Sequence, residues 1–120
     1  RQLGLKQYCT TSNAYSLGRR GRKLNTVCPI ALTSTLQNAN QQGLDYYALE
    51  QQIDEDNRLL DKYQAEFDKL QNGELLDFDN EKEARKRLLY LYTELQNVKN
   101  RISNTQKQLN SLSQMNRLYD

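Results

Sequence analysis

From residue 81 to the end of the chain, apolar side chains recur at three- and four-residue steps with no Gly or Pro among them. Leu88, Leu95, Ile102 and Leu109 fall seven apart, and Ala84, Leu91, Val98, Thr105, Leu112 and Tyr119 interleave with them. Four sustained heptads predict a coiled-coil-like helix over about 81–118. Asn80 is placed to cap it, with Glu83 three residues on as in a capping box, and Glu81 and Glu83 suit the positive helix end. A second stripe lies upstream. Pro29 suits a first helical turn, where its missing N–H has no partner to lose. Leu32, Leu36, Ala39, Gly43, Tyr46, Leu49, Ile53, Leu60, Tyr63, Phe67 and Leu70 follow at helical spacing, with Asp56 interrupting the stripe. This predicts a helix over about 29–72 that stops at Asn72-Gly73. Gly43 costs about 1 kcal/mol against Ala in a helix interior, so it marks a bend or a close helix contact.

Two such helices joined by a turn over about 73–80 fold back antiparallel. A turn centred near Leu76 sets Leu70 near Lys82, Tyr46 near Gln106 and Leu32 near the C-terminus, in a rod of roughly 60 Å at the helical rise. The narrow seam would equally serve a second chain, so a homo-oligomer stays open. Composition agrees with a thin seam rather than a thick core. Of 120 residues 37% are hydrophobic and none is Trp, and mean hydropathy is −0.95. The expected fold is all-α, with a small disulfide-stapled head over 1–28 followed by a long antiparallel helical hairpin over 29–120. No stretch is apolar enough for a membrane span.

Charge is laid down unevenly. Residues 1–43 hold six basic and no acidic side chains, whereas the remainder holds eleven basic and fifteen acidic ones. Within the head, Cys9 and Cys28 bracket a stretch dense in Ser, Thr, Asn and Gly, too poor in apolar material to hold itself folded. A Cys9–Cys28 bond would supply roughly 3 kcal/mol by closing that loop, in an oxidising compartment. Two unconnected buried thiols are the alternative. A zinc site has too few ligands, because the chain has no His. Ser12 or Thr11 can cap a short helix through Ala14, Tyr15 and Leu17, with Gly18 and Gly21 to stop it. Arg19, Arg20, Arg22 and Lys23 then crowd onto one turn as candidates for binding an anionic polymer or lipid surface. A solvated loop is the plainer reading. Nucleic acid is disfavoured, since no recognition helix or RNA-binding aromatic signature accompanies the charges.

Gly4-Leu5-Lys6-Gln7-Tyr8-Cys9, Ala14-Tyr15-Ser16-Leu17-Gly18-Arg19-Arg20-Gly21 and Val27-Cys28-Pro29, with a helix reaching Gly43, together resemble the second half of a proteobacterial envelope family. That family is catalogued as domain of unknown function 2799, and the resemblance covers about residues 4–50. Its members are typically small predicted lipoproteins. The resemblance therefore implies export to the periplasm or cell envelope, and it supports the disulfide. It implies no activity. The chain starts at Arg1 rather than Met, so it reads as part of a longer protein, with any lipid anchor expected upstream.

At the turn, Leu75, Leu76 and Phe78 stand among acidic residues as candidates to dock a partner or to plug the hairpin. Tyr90 and Tyr92 lie off the seam and are available to a partner. Catalysis finds little support in the sequence. There is no nucleophile motif, phosphate loop or His, and the acids fall at helix-pairing distance from bases: Asp54 with Arg58, Glu81 with Arg85, Glu83 with Arg87. The expectation is a non-enzymatic protein without cofactor or metal. It acts as an envelope adaptor or assembly subunit through its hairpin, or alternatively captures an anionic polymer or lipid surface through its head.

Overall fold

The computed structural model of the chain describes residues 5–25, 27–74 and 80–119. Four α-helices account for most of them: α1 (Leu5–Tyr8), α2 (Thr11–Arg19), α3 (Thr33–Gln71) and α4 (Glu81–Met115). Single 3-10 turns stand before α3 (Ile30–Leu32) and after α4 (Asn116–Tyr119), and there is no strand among the described residues. The fold is all-α, two long antiparallel helices with a disulfide-stapled head.

The helix ends follow local chemistry. Thr10, not Ser12 or Thr11, caps α2, its hydroxyl accepting from the Asn13 N–H at 3.1 Å. The chain leaves α2 through Gly21 at φ +78°, where the Gly21 N–H donates to the Gly18 carbonyl and the Arg22 N–H to that of Leu17. The end of α3 repeats this geometry. Gly73 at φ +90° donates to Leu70, and Glu74 to Lys69, the paired bonds of a Schellman stop. Asn80 caps α4 by accepting from the Glu83 N–H at 3.0 Å. Pro29 precedes α3 by a 3-10 turn instead of opening it.

By compactness the chain forms two units, residues 1–52 with 106–120 and residues 53–105. In the second unit α3 and α4 close the seam that the heptads predict. Leu70, Ala84, Leu91, Leu95 and Val98 are buried, with Tyr63, Phe67 and Leu88 packed against that core. Asp56 sits in the seam at 4% exposure and accepts from Arg101 Nη2 at 3.1 Å, while its other oxygen has no protein partner. A charge placed there tolerates few registers, because sliding α3 against α4 would leave it buried without Arg101. Glu66 and Arg87 form a two-bond pair across the helices at 2.7 and 3.0 Å. The hydrogen bonds from Arg87 hold the Glu66 carboxyl below the usual carboxylate range. Arg87 therefore crosses to α3 rather than pairing with Glu83, which instead meets Lys86 at 3.5 Å. Neither Asp54 with Arg58 nor Glu81 with Arg85 forms an ion pair. Leu70 lines one small cavity with Glu81, Ala84 and Arg85, beside the expected partner position Lys82.

In the first unit α2 lies on α3. Gly18 and Gly43 are the contact. A Cβ on Gly18 would meet the Asn40 carbonyl and stand 2.7 Å from the Leu44 nitrogen, and one on Gly43 would meet the Tyr15 carbonyl and stand 2.8 Å from the Arg19 nitrogen. Gly18 therefore lies inside α2 as a crossing point and does not stop it, and Gly43 serves the close contact that was one of its two expected roles. Around the crossing, Ala14, Tyr15, Leu36 and Ala39 form a small core, joined by Cys9, Leu24, Cys28 and Tyr119. The Tyr15 and Tyr119 rings stack at 5.1 Å. The head thus has apolar material, borrowed from α3 and the C-terminal turn. Leu32, expected on the seam, is exposed.

Candidate functional site

Two surfaces carry the candidate residues, one in each unit. The first is a strap, residues 20–25 and 27–28, that returns along α3. Cys9 and Cys28 are bonded, with Cα atoms 5.6 Å apart, which fixes the far end of the strap to the start of α2. Asn40 fixes its middle. The Asn40 amide donates to the Arg22 and Ala14 carbonyls, each at 2.9 Å, and its oxygen accepts from the Leu24 N–H at 3.1 Å. Tyr8 Oη accepts from the Asn25 N–H at 2.8 Å. The near end lies against the Tyr47 ring, which a Cβ on Gly21 would approach to 2.9 Å.

The four basic candidates do not share one environment. Arg19 is half-buried, its guanidinium 3.7 Å from the Tyr46 ring centroid and hydrogen-bonded to Tyr15 Oη at 3.4 Å. That packing makes it a strut between α2 and α3. Arg20, Arg22 and Lys23 are exposed on the strap. Sequence reasoning groups all four because charge is visible in a sequence and stacking is not.

The second surface is the outer side of α4 in the second unit. Leu89, Tyr90 and Tyr92 are exposed at 70%, 47% and 57%, while Leu91 between them is fully buried in the seam. Tyr92 leans on Phe67, ring centroids 6.5 Å apart. On the other flank Tyr90 accompanies Arg87, whose guanidinium is 5.0 Å from its ring. Tyr90 and Tyr92 are thus off the seam as the heptads imply. Leu89 joins them, marked in the sequence only by its place beside the seam position Leu88. The candidates Leu75, Leu76 and Phe78 lie outside the described residues.

Among the described residues no arrangement of His, Cys, Asp and Glu is suited to a metal ion, and no helix is long and apolar enough to cross a membrane. A family model described as protein of unknown function (DUF2799) matches residues 1–45. The chain resembles that family over this stretch, which holds both cysteines, both crossing glycines and Asn40. The helical hairpin continues beyond it. No curated protein and no solved structure matches the chain.

Proposed function

We propose that this chain is a non-catalytic envelope protein that serves as an adaptor or assembly subunit, presenting the outer face of α4 to a protein partner. The observation that carries the reading is the exposure of Leu89, Tyr90 and Tyr92 above a seam that closes without them. Large aromatic and aliphatic side chains gathered within about one turn of a rigid helix are the material of interface anchors. The envelope assignment draws on the family resemblance over residues 1–45 and on a disulfide that persists only under oxidising conditions.

A photo-reactive residue placed at Leu89 or Tyr92 in native cells is expected to capture one discrete protein, whereas one at the exposed Asp61 of α3 captures none. Leu89→Asp should abolish capture from position 92, with affinity falling tenfold or more and little change with salt. Far-ultraviolet circular dichroism and melting must match the parent chain, because Tyr92 also touches Phe67. Capture at Asp61 but not at Leu89 or Tyr92 would remove the assignment of this face.

A further inference from the structure

The strap and the turn that follows it expose two kinds of side chain that rarely serve the same partner. Arg20, Arg22 and Lys23 are exposed, and shortly after them Val27 is 54% and Ile30 92% exposed. A single exposed aliphatic is ordinary on a protein surface. Here, however, the backbone that presents them is held at several points. Asn40 holds Arg22 and Leu24, Tyr47 backs Gly21, and Cys28 is bonded to Cys9. The strap lies along one stripe of α3: it meets Tyr47 and Asn40, and Leu24, Asn25 and Cys28 share a small cavity with Gln37 and Thr33. Its cations and its aliphatic residues are therefore displayed in order along one ridge, and ordering them on contact costs little entropy.

From this ridge we infer a peripheral binding site for an anionic lipid bilayer, with Arg20, Arg22 and Lys23 on the headgroups and Val27 and Ile30 entering the acyl boundary. A soluble polyanion would be served by the cations alone. Ile30 on its 3-10 turn projects outward, and a fluid hydrocarbon boundary accepts such a side chain without a matching pocket. Membrane association of this kind combines apolar burial with attraction of basic residues to anionic headgroups. No residue of the proposed partner face on α4 takes part, so the two readings stand or fall separately.

The test is co-sedimentation of the full chain, disulfide intact, with vesicles of mixed phosphatidylglycerol and phosphatidylcholine and with vesicles of phosphatidylcholine alone. Binding to the anionic vesicles is expected, at least tenfold above the neutral ones and weakening with salt. Each cation near an anionic surface is worth about a fivefold factor, so Arg20→Gln, Arg22→Gln and Lys23→Gln together should lower partitioning on the order of a hundredfold. Ile30→Ser, which leaves the charge unchanged, should lower it on the order of tenfold, and it should leave binding to soluble polyglutamate unchanged. Ile30 supports no packing, so this variant should fold, which circular dichroism and a thiol count check. Binding to neither vesicle, equal binding to both, or full binding by Ile30→Ser overturns the inference. The last result would leave charge capture of an acidic polymer or protein. Leu89→Asp should bind vesicles as the parent does.

Discussion

Gly43→Ala is expected to destabilise the first unit by about 1 kcal/mol net, the opposite of what helix propensity predicts. In an exposed helix interior Ala is more stable than Gly by about 1 kcal/mol. At position 43 the added methyl would run into the Tyr15 carbonyl and the Arg19 nitrogen, which are backbone of α2 and cannot swing aside. The two helices must separate, which opens the core around Ala14, Tyr15, Leu36 and Ala39. Overpacking of this kind typically costs 1 to 3 kcal/mol, roughly cancelling or exceeding the propensity gain. Gly43→Val, larger and β-branched, should detach α2 outright. Chemical denaturation of both variants beside the exposed neighbour Gln41→Ala gives the sign. A stabilisation of about 1 kcal/mol by Gly43→Ala would mean that α2 does not lie on α3 at this point.

Replacing Cys9 and Cys28 together with Ser should cost roughly 3 kcal/mol by the loop-closure argument. The loss should be local. Without the bond the strap keeps Asn40 and Tyr8 as hydrogen-bond partners but loses its tether to α2, so its hold on α3 becomes reversible. Amide exchange should rise at Arg22, Leu24 and Asn25, and the amides of α4 between Leu88 and Val98, buried in a seam of their own unit, should keep their protection. The Tyr15 and Leu36 core gives the head a second support, so α2 should stay helical. Unchanged exchange along the strap, or loss of protection across α4, would contradict this division.

The heptads of α4 made the hairpin legible because a seam one residue wide forces a strict repeat on the sequence. The boundaries were readable to within a few residues because Gly73 and Asn80 act through their own backbone and side chain. What the sequence conceals is nonlocal. Gly18 reads as a helix stop by composition alone, and only its approach to Gly43 shows that it is a crossing point. Asp56 reads as a flaw in the stripe until Arg101 is found across from it. Asn40 carries no signal beyond falling beside seam position Ala39, yet it makes three hydrogen bonds that shape the strap. Arg19 is indistinguishable from Arg20 in a charge count, and the aromatic rings around it come from positions 15 and 46.

The proposed role depends on a seam consumed within one chain, which leaves the outer face of α4 for a different protein. Sedimentation equilibrium over a wide concentration range tests this most directly. A mass of 14.1 kDa at every concentration is the predicted result, unchanged by Leu89→Asp. A dimer whose dissociation depends on Leu95 and Ile102 would contradict it, because those side chains would then close the seam between chains.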